Sequence, residues 1–407
     1  MAIAVPQPPS TTRPAFTPSP ATWPTEYREA IVVGAGPAGL AVAAELRRRG
    51  VETLLVERSD AVGASWRGRY EGLRLNTMRV LSSLPGHPMP RAYGRYPRRE
   101  DFVAYLEVYA RRCAPPIRFG VNVERVERGP GGWELHTNAG ALRARHLVIA
   151  TGYDAAPRMP DWPGADSFPG ELIHASAFRS ARAYHGRDVL VVGAGNTGVD
   201  IAEHLRRAGA IVTVCVRTPP NLFPRQWHGI PLQALAVVAE RLPLAVRDRV
   251  ARILQDLIFG DLTRYGLGRP DEGIWTKFRR TQTGQSVDDG FVAALRAGQI
   301  RVVPEIARFE GADVVLTDGR RLRPDVVIAA TGYRRGLEGL VGHLGVLSPT
   351  GSPAHYRAAP AHPAAPRLYF AGYYGAPSGQ LRFAPIHARR IARAVIADRR
   401  SSVRRRG

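Results

Sequence analysis

The chain has 407 residues, with 57 Lys+Arg against 35 Asp+Glu and 44% hydrophobic residues. That length exceeds one compact core, so two domains, or one large domain with insertions, are expected in an ordinary globular protein. The net charge of +22 is not read as a nucleic-acid surface, because Lys277 is the only lysine, the arginines are scattered over every segment, and no zinc-ligand spacing, aromatic RNA-binding box or basic zipper accompanies them.

Residues 1–26 are dense in Pro, Thr and Ser and read as a flexible lead-in. They have neither the charged start nor the long apolar run of a secretory signal. Residues 30–58, AIVVGAGPAGLAVAAELRRRGVETLLVER, then give strand, turn, helix and strand. Gly34 permits the tight turn, Gly36 lets a pyrophosphate approach the backbone, and Gly39 lets helix and strand pack closely. The helix N-terminus offers free N–H groups to phosphate. Glu57, ending the second strand, can accept from both ribose hydroxyls, so this site is expected to hold FAD.

A strand-rich segment around a Gly-Pro-Gly-Gly turn follows and ends at Thr151 and Gly152 within ATGY, a tetrapeptide that recurs at 330–333. These two copies mark where the chain leaves the first domain and returns to it. Between them lies FPGELIHASAF, residues 168–178, on neither an obvious helix nor an obvious strand. It carries His174, a candidate for chemistry that is better read as a positioning group, since no carboxylate nearby in sequence would orient its ring.

The strand-turn-helix pattern returns at 189–217, with Gly193, Gly195 and Gly198 at an offset of 159 and Asn196-Thr197 opening the helix. Counting one extra residue before the second strand sets Arg217 opposite Glu57. A carboxylate repels a 2′-phosphate and a guanidinium grips one, so this second site is expected to prefer NADPH. Arg225, in FPRQ, is a further candidate for the same phosphate. The plainer reading of Arg217 is a solvated side chain. An apolar helical stretch near 232–259 is expected to pack over the nucleotide or at an interface.

Cys113 and Cys215 form no CxxC pair, which argues against disulfide exchange and fits a reducing cytoplasm. No apolar run approaches the ~20 residues of a membrane span. No metal-ligand set or catalytic triad is recognised. The organisation read from the chain is α/β, with two Rossmann-like dinucleotide-binding domains. An NADPH domain (155–327) is inserted in a discontinuous FAD domain (27–154 and 328–395), and a basic tail (396–407) follows.

With both glycine loops, both ATGY segments and FPGELIHASAF in order, residues 27–395 resemble the flavin-containing monooxygenase family, a class B flavoprotein monooxygenase group. Phe168, Gly170, His174 and Phe178 match that family's identifying pattern F-x-G-x-x-x-H-x-x-x-(Y/F). TGQSVDDGFVAALRAGQIRVVPEI and LYFAGYYGAPSGQLRFAPIHARRIARAV are similar to the YUCCA-type members. The resemblance implies that Ser65 and Trp66 lie beside the flavin and that Val123 touches adenine through its backbone. It also implies that Gly372, Gln380 and Leu381 face the flavin pyrimidine. Asn76 matches an asparagine that the broader family places by flavin and NADP⁺, where YUCCA-type sequences tend to differ.

The resemblance further implies NADPH reducing FAD, O₂ adding to give a C4a-(hydro)peroxyflavin, and transfer of one oxygen atom to a small organic substrate. Nitrogen or sulfur is the expected target. Oxidative decarboxylation of a 2-oxo acid and Baeyer–Villiger chemistry are the alternatives, and Phe178 followed by Arg179 departs from typical Baeyer–Villiger enzymes. A flavoprotein that binds NADPH without oxygenating remains a remote reading. The expected partners are the substrate and O₂, with no nucleic acid and no membrane, in a monomer or homodimer.

Overall fold

The computed structural model describes residues 26–354 and 361–404. The expected lead-in falls almost wholly outside them. Two large sheets, a mixed eight-stranded one and a parallel five-stranded one, dominate the described residues, and each is built on a short apolar strand followed by a glycine turn.

The first sheet centres on Glu26–Val33, whose apolar end, Ala30 to Val33, is buried. On one side it pairs in parallel with Thr53–Val56 and, beyond that, Ile117–Arg118. On the other it pairs with Gly140–Ile149, which carries Ala365–Phe370 on its far side. The helix Pro37–Arg48 crosses between the first two strands. Pro37 suits its first turn, where the missing N–H has no intrahelical partner to lose. Its apolar face packs with the C-terminal helix Phe383–Arg404, through Leu40, Ala43, Ala388, Ile391 and Val395. The strand-rich segment forms an antiparallel meander, Val123–Gly129, Gly132–Thr137 and Gly140–Ile149, with the expected tight turn at 129–132.

The second sheet repeats this plan. Asp188–Val192 is central, Ile211–Cys215 and Ile300–Val303 lie to one side, and Val326–Ala329 and Glu171–His174 lie to the other. Helix Asn196–Arg207 replaces Pro37–Arg48. Within FPGELIHASAF, Glu171–His174 is therefore the edge strand of this sheet rather than part of a free connection. Tertiary pairing to Val326–Ala329 makes it a strand; its own four-residue pattern is too short to announce one.

The chain crosses between sheets twice, and the crossings pair with each other: Ala156–Pro157 runs antiparallel to Tyr333–Arg334. Arg335 lies over the Tyr153 ring, 3.1 Å from its centroid. Arg69 pairs with Asp154 and donates to the Tyr333 hydroxyl.

The apolar stretch expected at 232–259 forms two helices, Leu232–Ala239 and Leu244–Phe259, with Pro243 at the break. Proline lacks the N–H that a continuous helix needs there. No separate tail begins at 396. The last helix runs to Arg404, and its Asp398 binds Arg145 and Arg367 of the first sheet. Residues 405–407 lie outside the described residues.

Candidate functional site

The glycines of each turn divide into two kinds. A Cβ on Gly34 (φ +106°) would stand 2.5 Å from the Ala150 carbonyl oxygen, and one on Gly39 would stand 1.9 Å from that of Gly34. In the second turn, a Cβ on Gly193 would meet Ala330 O at 2.8 Å and one on Gly198 would meet Gly193 O at 1.9 Å. These four are required by the fold itself.

Gly36 and Gly195 differ. Their φ values, −79° and −72°, suit any residue, and a Cβ on either would meet nothing within 4 Å. Both cap helices whose N-termini receive no side-chain hydrogen bond. An open face over uncapped N–H groups is a cradle that a side chain would fill, and it suits a pyrophosphate.

Glu57 directly follows strand Thr53–Val56, with its carboxylate anchored: Ala35 N donates to Oε2 at 2.7 Å, and Ser59 N and Oγ donate to Oε1 at 3.0 and 2.8 Å. Val121 N donates to the Glu57 carbonyl at 2.9 Å. Val123 stands two residues further on, paired with Thr137, so Val121 rather than Val123 adjoins Glu57.

Strand register corrects one correspondence. Val33 pairs with Val56, and Val192 with Cys215, both partners lying 159 positions on without an inserted residue. Val216, not Arg217, therefore stands where the first sheet has Glu57. The carboxylate is replaced by an apolar group, and Arg217 follows it, its side chain 69% exposed and 3.4 Å from Glu305. Arg225 is already committed: it is nearly buried and its Nη1 lies 2.6 Å from Asp289.

A cavity of about 1660 Å³ lies between the sheets and reaches Gly195, Asn196, Thr197 and Arg217 on one side and Trp66, Asn76, Gln380 and Leu381 on the other. The two sides touch directly. Asn76 Nδ2 donates to Asn196 Oδ1 at 3.2 Å, while Asn196 Oδ1 also accepts from Val287 N and its Nδ2 donates to Gln285 O. Trp66 is held edge-on against Phe102, and Ser65 beside it, on the same short helix Ala64–Arg67, is exposed. Gln380 Nε2 donates to Gly372 O at 2.6 Å, and Thr151 Oγ1 lies 2.6 Å from the buried Tyr373 hydroxyl. Gly372 (φ +88°) passes so close to the first helix that a Cβ would stand 2.9 Å from that of Ala38, while Gly152 takes φ +100°.

His174 is buried, with both ring nitrogens engaged. Ser176 N donates to Nδ1 at 3.0 Å, and Nε2 faces Gly332 O at 3.1 Å, so the tautomer protonated at Nε2 satisfies both. Burial lowers its pKa, partly offset by the bond to Gly332. With neither nitrogen available to take a proton, the ring ties the edge strand to the returning crossing. Phe178 packs between Tyr70 and Tyr184, and a Cβ on Gly170 would strike the Phe168 ring at 2.6 Å.

Two contacts were not legible in the sequence. Tyr70, which belongs to the first part of the chain but is buried in the core of the second sheet, donates to Asp200 on helix Asn196–Arg207. Gln233, buried in Leu232–Ala239, accepts from Met78 N and donates to Ser378 O, both at 2.6 Å. A lone glutamine in LQALAVVA was the only signal for the second.

A family model described as pyridine nucleotide-disulphide oxidoreductase matches residues 31–227. Indole-3-pyruvate monooxygenase YUCCA1 of Oryza sativa subsp. japonica is 38% identical over 310 residues, covering 75% of this chain and 76% of its own. The chain belongs to the flavin-containing monooxygenase family. Probable indole-3-pyruvate monooxygenase YUCCA9 of Arabidopsis thaliana is 36% identical over 313 residues, covering 75% of this chain and 74% of its own. Among solved structures, a flavin-containing monooxygenase from Stenotrophomonas maltophilia superposes with a TM-score of 0.72 at 25% identity, covering 91% of this chain and 99% of that one.

This member of the family is accordingly an oxidoreductase of the flavin-dependent monooxygenase type. Its cysteines carry no disulfide. The Cys215 thiol, buried and donating to Pro304 O, is pushed up to about 11. Among the described residues no helix is long and apolar enough to cross a membrane, and no His, Cys, Asp and Glu cluster could hold a metal.

Proposed function

We propose that this chain is an FAD- and NADPH-dependent monooxygenase, with FAD on the first sheet (27–154 and 328–395) and NADPH on the second (155–327). The observation that carries this reading is the Asn76–Asn196 contact, which brings the two glycine-turn sheets together at one shared cavity. When bound, NADPH supplies hydride and FAD supplies oxygen activation.

The protein's part is to bind, orient and exclude water. The backbones at Gly36 and Gly195 take the two pyrophosphates, each at a helix N-terminus. Glu57 accepts from a ribose, and Val216 presents no carboxylate to a 2′-phosphate that Arg217 can grip. Gln380 and Thr151, fixed by Gly372 and Tyr373, steady the segment facing the flavin, with Leu381 and Trp66 closing the apolar side. Asn76, oriented by Asn196, presents its amide to the reacting centre. His174 acts as a positioning residue between the crossings.

Similarity to the indole-3-pyruvate monooxygenases favours an aromatic 2-oxo acid, decarboxylated oxidatively, as the substrate. The cavity supports this, since Phe223, Trp275 and Phe278 line it together with Arg74, Arg334 and Arg335. Oxygenation of nitrogen or sulfur is the second reading, favoured by Asn76, which the broader family shares and YUCCA-type sequences tend to lack.

NADPH consumption over 2-oxo acids, amines and sulfides, with peroxide and product measured in parallel, separates them. The first reading requires CO₂ and the acid one carbon shorter in equal amounts. A yellow protein bleached by NADPH that air does not reoxidise would overturn monooxygenation altogether. For Arg217→Ala, KM for NADPH is expected to rise about tenfold or more while KM for NADH stays unchanged, as loss of a charge-assisted pair worth about 1.5–3 kcal/mol requires. Equal changes for both cofactors would remove Arg217 from the phosphate.

A further inference from the structure

Helix Leu244–Phe259 is covered on one side only. Its inner face packs through Ala251, Leu254 and Ile258 against Leu232–Ala239 and Ile274–Thr281. Its outer face carries Val246, Val250, Ile253 and Leu257, spaced at four, three and four residues, and these are 43%, 47%, 58% and 65% exposed. That spacing is a single straight stripe of the kind that seats against another helix. Val238, near the end of Leu232–Ala239, and Leu242, in the turn after it, are exposed as well. An exposed apolar stripe of this length is uncommon on a solitary chain.

The flank of the stripe says what covers it. Arg249 and Asp256 lie on the same edge, both exposed, and neither forms an ion pair among the described residues. If a second copy of this helix is laid antiparallel, with the two-fold axis between Val250 and Ile253, Val246 faces the partner's Leu257 and Val250 faces the partner's Ile253. The same operation brings Arg249 to the partner's Asp256, and Asp256 to the partner's Arg249. Opposite charges on one edge, at these positions, meet only in the antiparallel arrangement; in a parallel pair this edge would face the partner's other edge and the two charges would not meet.

We propose that this face pairs with a second copy of the chain, antiparallel and two-fold symmetric. The pairing bears on the site, because Val250, Ile253 and Leu257 also line the mouth of the cavity. The partner's helix would roof that mouth and keep water from the reacting centre. The roofing step, unlike the pairing itself, rests on the monooxygenase reading.

Light scattering on the full-length chain tests the pairing without any assay of activity. Twice the chain mass is expected for the natural sequence. Ile253→Glu is expected to give monomer, as are Arg249→Asp and Asp256→Arg singly, each weakening association tenfold or more. The double variant R249D/D256R is expected to restore the dimer. A natural chain that is monomeric at micromolar concentration overturns the proposal, as does a double variant no better than the singles. Salt-sensitive binding of a monomer to anionic phosphatidylserine vesicles, lost in Ile253→Glu, would also overturn it and assign the stripe to a lipid surface. Given the dimer, peroxide release per NADPH should rise severalfold in the monomeric variants. An unchanged ratio would sink the roofing step and leave the pairing standing.

Discussion

Gly36 and Gly39 sit three residues apart yet answer to different constraints. Gly39→Ala would drive a Cβ to 1.9 Å from a backbone oxygen, and no flexible side chain is there to give way. A large loss of melting temperature or insoluble protein is expected. Gly36→Ala meets nothing, so the protein without cofactor should melt within a few degrees of the natural chain while losing tenfold or more in FAD affinity, measured by flavin fluorescence on reconstitution. Equal damage from both would refute the cradle. Two other residues set a pH dependence. Burial pushes His146 and His387 down from 6.5 to about 4. Between those limits the unfolded chain takes up protons that the folded chain refuses, so stability is full above about pH 6.5 and declines toward pH 4. The two together contribute roughly 7 kcal/mol at most, and urea midpoints from pH 7 to pH 4 should fall accordingly. A flat profile would show that the rings ionise in place.

Among the elements, the helix Leu232–Ala239 has the clearest coupling role. Gln233 fixes its start to Met78, two residues from Asn76, and to Ser378, two residues from Gln380. Glu240, just past its end, accepts from Arg382 with both carboxylate oxygens. Gln233→Leu leaves Met78 N and Ser378 O unpaired in the interior, at a cost of about 2 kcal/mol. The expected result is lower thermal stability and a higher peroxide yield, with KM for NADPH unchanged; a shift in KM alone would count against this coupling. The edge strand Glu171–His174 shows where sequence reading stops. Its residues looked like a connection because four residues carry too little periodicity, and only the ladder with Val326–Ala329 makes them a strand. Its histidine is proposed as a positioning group, and both its ring nitrogens already face partners, Ser176 N and Gly332 O.

At the scale of the whole molecule, the repeated plan is legible in the sequence. Glycine turns have local causes: a positive φ at Gly34 and Gly193, and a helix packed too close for a Cβ at Gly39 and Gly198. Such causes write themselves into consecutive residues, so both turns, the strand before each and the helix after each could be read directly. The correspondence of Arg217 with Glu57 could not be fixed the same way. Counting residues across a helix and loop leaves the register free by one, and only the pairing of Val192 with Cys215 decided it in favour of Val216. Likewise, nothing local in the chain joins Asn76 to Asn196, Tyr70 to Asp200, or Gln233 to both 78 and 378, because contacts across 120 or more positions have no short-range signature. The sequence alone thus determined two nucleotide-type turns and the family they resemble. Tertiary structure alone decided how the turns face one cavity, which residue follows each acidic or apolar strand end, and which helix face is left uncovered, since each depends on how distant segments pack.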